Sequence, residues 1–189
     1  FMILFIIFVI LLLILVNAFY VAAEFAAVSV RRNMIREMAE GGSKVAAHLL
    51  KILENTRELD RYIAACQFGI TISSLILGAY GQVQLSSYLL PLFERFGGMD
   101  SVMAASVSAL VVLVGLTVFQ VILGELMPKS LALQFPRQAA LYTYYPMRWT
   151  LTFCAWFIDF LNGSGLLLLK LFKLPPGGHK HVHSQQQIN

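Results

Sequence analysis

Two acidic residues, Glu24 and Glu125, stand inside long apolar stretches of a 189-residue chain. A carboxylate at membrane depth is expensive to keep and marks a functional site by default. Neither has a Lys or Arg within its own stretch, so a proton, a cation or a partner helix must neutralise it. Around them sit neutral oxygens. Asn17 precedes Glu24 by seven residues, which puts the two about 20° apart around a helix. Gln67, Thr71, Ser74, Gly78 and Gln82 follow a 4, 3, 4, 4 spacing and share one helical stripe, with Ser73 to one side. Such a stripe fits a packing seam with Gly69, Gly78 and Gly81 at contacts, or a water- or ion-lined path. It carries more oxygen than a seam needs. Thr117 and Gln120 lead into Gly124-Glu125-Leu126-Met127-Pro128-Lys129. Pro128 has no N–H, so the carbonyl of Gly124 loses its i+4 partner. Either the helix stops there, with Glu125 reaching Lys129, or the carbonyl is free to meet an ion beside Glu125. Carboxylate, hydroxyl, amide and carbonyl oxygens are hard ligands that suit Mg²⁺ or Na⁺. Two carboxylates match the charge of one divalent cation.

The elements that would position these groups follow from composition. Hydrophobic residues make up 58% of the chain and charged ones 13%, about half the charge of a soluble domain. That excludes a soluble globular protein, and the high hydrophobicity excludes disorder. Apolar residues concentrate in blocks long enough to cross a bilayer, which takes about 20 residues. The fold class expected is an all-α membrane protein with three transmembrane helices and cytoplasmic juxtamembrane or belt helices. Spans are predicted over 3–30, 62–90 and 102–127, with juxtamembrane helices over 31–60 and 129–174. The first block has no basic n-region and is too long for a signal h-region, so it does not read as a cleaved signal. Its start at Phe1 reads as trimmed.

Residues 31–61 carry 12 of the 24 charges. Apolar residues recur there at helical spacing, and Gly41-Gly42-Ser43 breaks the run, which predicts two short amphipathic helices at the membrane surface. Pro91, Gly97, Gly98 and Asp100 predict a turn after the second span. Orientation follows from Lys and Arg: with the N-terminus outside and the C-terminus cytoplasmic, 13 of the 14 lie inside and only Arg95 outside. A fourth apolar stretch over 146–174 is broken by Asp159 and by Asn162-Gly163-Ser164-Gly165. Letting it cross would move three lysines outside, so it is expected to lie along the cytoplasmic boundary.

Other classes find little support. The net charge of +4 serves topology rather than nucleic acid. Cys66 and Cys154 form neither a metal spacing nor a disulfide framework. His179, His181 and His183 read as a solvated linker, and no nucleophile–base set points to an enzyme.

The runs from Asn17 to Ala26, from Gln67 to Leu75 and from Gly124 to Lys129 together resemble the transmembrane domain of the CorC/cyclin-M (hemolysin-related) magnesium transporters. The tail around His181 is similar to the segment that leads, in that family, into cytosolic CBS modules. The resemblance implies a plasma-membrane homodimer that exports Mg²⁺, with Na⁺ as the coupling ion. Carried over residue by residue, it implies Glu24, Ser73 or Ser74, the Gly124 carbonyl and Glu125 as Mg²⁺ ligands, with Asn17, Gln67 and Thr71 close by. Some relatives have Asn where this chain has Ser73-Ser74, so the second-span ligand stays open between the two serines. Residues 1–175 would form the transmembrane domain and 176–189 a linker toward an ATP-binding CBS module that this chain lacks. An alternative role is a membrane-anchored Mg²⁺ sensor or scaffold that regulates other transporters and moves no ions.

Overall fold

The computed structural model describes residues 1–171 apart from Met99. The linker at 176–189, with its histidines, lies outside the described residues. Among those described there are helices and turns and no strand. Three helices are long and apolar enough to cross a membrane, as the blocks predicted.

The first, α1 (Met2–Ser29), is apolar around its whole circumference in its N-terminal half. Ile6, Ile10, Ile14, Asn17 and Val21 are buried at helical spacing, while Phe5, Phe8, Leu12 and Leu15 face outward. Two short helices follow, α2 (Arg32–Glu40) and α3 (Lys44–Glu54). The break between them is the predicted one: Gly42 takes a φ of 93°, which favours glycine. Ser43 Oγ then accepts from the Ala46 N–H and caps α3. Ile35, Leu49 and Leu53 bury their side chains against Ala23, Ala26 and Tyr62.

The second long helix, α4 (Thr56–Gly97), starts on Asn55, whose side-chain oxygen accepts from the N–H groups of Arg57 and Glu58. It begins earlier and ends later than the 62–90 predicted. Pro91 does not open the turn but lies inside the helix, and the turn comes only at Gly98, which caps α4 in the left-handed region at φ 58°. One proline removes one backbone bond, and the remaining turns on each side hold the helix together.

The third span departs further from expectation. α5 (Ser101–Phe119) passes into a π-helical segment, Gln120–Leu126, which continues into α6 (Met127–Gln134). The helix therefore runs through Pro128 and does not stop at it. α7 (Pro136–Phe153) and α8 (Ala155–Leu171) complete the described chain. The break between them falls at Cys154, not at Asp159 or in 162–165, and Pro146 lies within α7. Asp159 receives a 3.1 Å ion pair from Arg61, which ties α8 to the start of α4.

α1 packs on α4, the π segment, α6 and α7, and α4 packs on α5. One apolar core joins α1, α2, α3, α4 and α7 around Tyr62, Cys66 and Met147. A second joins Ile6, Ile10 and Ile14 to Leu77, Val112 and Leu116. Two of the three glycines of the packing-seam alternative set the approach between spans. A Cβ on Gly69 would lie 2.5 Å from the Tyr20 ring, and one on Gly81 would lie 2.5 Å from Leu116 Cδ1. A Cβ on Gly78 would meet nothing within 4 Å, so the packing-seam alternative does not hold at that glycine. The Tyr20 ring cannot yield cheaply: its hydroxyl lies 3.1 Å from Thr150 Oγ1, whose own proton goes to the Pro146 carbonyl. Gly69→Ala is therefore expected to destabilise the domain by about 1–3 kcal/mol through overpacking. Gly78→Ala should stay within about 1 kcal/mol, because it only adds helix propensity. Thermal unfolding of the two variants in detergent checks the contrast.

Candidate cation site at the crossing of three spans

Asn17 is fully buried and holds the three long helices at one point. Its Nδ2 donates to the Gly124 carbonyl at 3.1 Å, across 107 residues of sequence. Its Oδ1 accepts from Ser73 Oγ at 2.9 Å and from Ser74 Oγ at 3.1 Å. Gln120 Nε2 donates to Ser74 Oγ, which continues the chain to the third span. The Ser73 proton also has the Gly69 and Ile70 carbonyls within 2.8 and 3.0 Å, so it can serve only one of three acceptors at a time.

The local cause lies in the third span. Gly124 cannot receive a bond from residue 128, because that residue is proline. The π-helical winding adds a residue to the turn, and Met127 N–H bonds Ile122 O at i−5. The side-chain amide of Asn17 supplies the Gly124 carbonyl with a donor in place of the one Pro128 lacks. The carbonyl expected to be free is thus already engaged by Asn17. It keeps a second lone pair. Gly124 must also be small, since a Cβ there would lie 3.0 Å from Asn17 Nδ2.

The two acids sit beside this knot. Glu125 follows Gly124 directly and is half-buried, with no hydrogen bond or ion pair among the described residues. The alternative in which Glu125 reaches Lys129 does not form. Lys129 Nζ instead stands 4.5 Å from the centre of the Phe25 ring. Glu24 lies two helical turns along α1 from Asn17 and is also half-buried. Its Oε1 is 3.5 Å from Gln67 Nε2, at the outer limit of a hydrogen bond.

The predicted groups therefore divide. Asn17, Ser73, Ser74 and Gly124 come together, and Glu125 adjoins them through the chain. Glu24 and Gln67 form a second pair about 10 Å along the helices. Thr71 is exposed and gives its hydroxyl to the Gln67 carbonyl of its own helix. The stripe is thus split: Ser74 faces α1, while Thr71 and the open Gly78 do not. Ser73, expected to lie off the stripe, is the more buried serine. Gln120 is the participant not assigned to the site from sequence. Its spacing of four from Gly124 was the available signal, since that puts both on one face. Among the described residues no group of three His, Cys, Asp or Glu side chains converges. Any ion taken here would meet mostly neutral hard oxygens.

Comparison with known proteins gives the arrangement its context. The chain is 36% identical over 178 residues to UPF0053 protein YrkA of Bacillus subtilis, covering 94% of this chain and 40% of that protein. It is 39% identical over 177 residues to UPF0053 protein YhdT of the same organism, covering 93% and 38%. A more distant relative, 27% identical over 167 residues, is the Polyamine export protein of Escherichia coli, with 88% of this chain and 36% of that protein covered. The chain thus spans about two fifths of the length of the curated relatives it matches. The family profile described as Cyclin M transmembrane N-terminal domain matches residues 7–189. With three long apolar helices and a match over nearly its whole length, the chain belongs to the cyclin M transmembrane-domain family.

Proposed function

We propose that the chain is the membrane domain of a Mg²⁺ exporter driven by Na⁺ entry, acting as a homodimer in the plasma membrane with its C-terminus in the cytoplasm. The observation that carries this reading is the convergence of Asn17, Ser73, Ser74 and the Gly124 carbonyl beside Glu125. Mg²⁺ gives up its water only to several oxygens at once, and it favours carboxylates among them. Glu125 supplies charge and a serine and the Gly124 carbonyl supply neutral oxygens, while Glu24, about 10 Å along α1, adds charge beside the site. The same oxygens hold one another through Asn17, so a cation would compete with these hydrogen bonds for them. In the whole protein a cytosolic CBS-type, ATP-binding module would follow the linker and regulate this step.

Two other readings have specific motives. The Polyamine export protein is a relative, and an organic polycation would also be drawn to Glu24 and Glu125. A sensor that binds Mg²⁺ without moving it would use the same ligands. Reconstitution into vesicles with an internal Mg²⁺-sensitive dye separates the three. Exporter function predicts dye-reported Mg²⁺ flux that depends on a Na⁺ gradient and is little affected by spermidine. Spermidine flux without Mg²⁺ flux would favour the polyamine reading. Saturable Mg²⁺ binding with no flux of either would favour the sensor. Both outcomes would overturn the proposal.

A further inference from the structure

A cavity of about 240 Å³ opens between α3, α4 and α7, away from the Asn17 knot. His48 and Ile52 line it from α3, Tyr62 from α4, and Tyr144, Arg148 and Leu151 from α7. Water occupies about 30 Å³ per molecule, so the space would take a small polar headgroup rather than one or two waters. Its lining has two kinds of surface. Ile52 and Leu151 offer hydrocarbon, while Arg148 offers charge and hydrogen bonds and His48 a ring nitrogen. Arg148 is exposed and has no acidic partner among the described residues. The acid that closes α3, Glu54, is held by Arg36 at 2.6 Å. His48 Nδ1 lies 2.7 Å from the Lys44 carbonyl. A carbonyl can only accept, so Nδ1 carries the proton and Nε2 is left for another partner. An unpaired guanidinium in a partly apolar recess favours a phosphate with an organic body.

Exposed aromatic residues on the lining helix α7 and on α8 suit a membrane boundary. Tyr142, Tyr145 and Trp149 on α7 and Trp156 on α8 are 82%, 58%, 70% and 74% exposed. Exposed Tyr and Trp side chains gather at headgroup level in membrane proteins. Basic pockets between helices at that level bind anionic lipid headgroups.

We infer that the cavity lined by His48, Tyr62, Tyr144 and Arg148 binds a glycerol-linked phosphate, with the phosphate on Arg148 and the carbon skeleton against Ile52 and Leu151. An anionic phospholipid and a free phosphate ester share this chemistry. The site is separate from the one proposed for the transported cation and does not depend on which cation is moved.

Native mass spectrometry of the delipidated chain in detergent tests the assignment, with phosphatidylglycerol and glycerol 3-phosphate as probes in separate titrations. Arg148→Gln is expected to reduce phosphatidylglycerol binding at least fivefold. Arg137→Gln, which removes an exposed charge from the same helix outside the cavity, should leave it unchanged. Ile52→Phe, which fills the recess and keeps its charge, should also reduce binding. Phosphatidylglycerol bound without glycerol 3-phosphate identifies a lipid. Arg148-dependent binding of both identifies the phosphate ester as sufficient. Binding that falls equally in Arg148→Gln and Arg137→Gln, or in neither, overturns the site. So does binding that Ile52→Phe leaves unchanged.

Discussion

Replacement of Asn17 by alanine is expected to lower the stability of the domain by about 2–3 kcal/mol and to loosen all three spans together. The change removes three interhelical hydrogen bonds. Such bonds average about 0.6 kcal/mol each in membrane proteins and reach about 1.7. The Gly124 carbonyl, already deprived of a donor by Pro128, would then be left without this substitute. Asn17→Asp makes a sharper test. It preserves size and the acceptor for the two serines, but it turns a carboxylate oxygen toward the Gly124 carbonyl. Acceptor then faces acceptor, unless the new acid binds a proton. Aspartate should therefore be no better than alanine at neutral pH and should recover stability as pH falls, since protonation restores a donor. Unfolding of purified variants in detergent at pH 7 and pH 5 measures this. Equal stability of wild type and Asn17→Ala would show that the knot does not hold the spans.

Glu125→Ala is expected to reduce Mg²⁺ flux from loaded vesicles by more than about tenfold, a change worth about 1.4 kcal/mol or more at the barrier. Glu24→Ala should have a comparable effect. Neither acid has a strong partner in the domain: Glu125 has none among the described residues, and Glu24 has only the 3.5 Å approach of Gln67. Their removal should therefore leave the fold intact, with unfolding temperatures near that of wild type. This separates them from Asn17, whose loss should reduce flux and stability together. Glu125→Gln keeps an oxygen but not the charge, so it reports whether charge or ligation matters. Near-normal flux in both alanine variants would remove the carboxylates from the mechanism.

The contrast between Asn17 and the two acids shows what kind of information each level carried. Apolar blocks of sufficient length, a charged interval between the first two and the Gly41-Gly42-Ser43 break were enough to place three long helices and two short ones. Membrane length, glycine conformation and side-chain capping act over a few residues, so the sequence displays them directly. The types of oxygen available, and their suitability for a hard cation, were legible for the same reason. Prolines misled where they were taken as stops. Pro91 and Pro128 each remove one N–H, but whether a helix ends there depends on what else can satisfy the freed carbonyl.

For Gly124 the substitute came from Asn17, 107 residues earlier, and no local pattern could announce it. The same limit applied to burial. The N-terminal half of α1 is apolar on every side, so periodicity could not say whether Ile6, Ile10 and Ile14 or Phe5, Phe8 and Leu12 would face the neighbouring helices. Likewise, one turn of α4 offered Ser73 and Ser74, and the stripe pointed to Ser74 although Ser73 is the more buried. Sequence by itself determined that hard-oxygen groups would lie at depth among three spans. Only the tertiary structure decided which of them meet, because helix rotation is set by packing between spans and by pairing every buried polar group, and both are properties of the assembled helices.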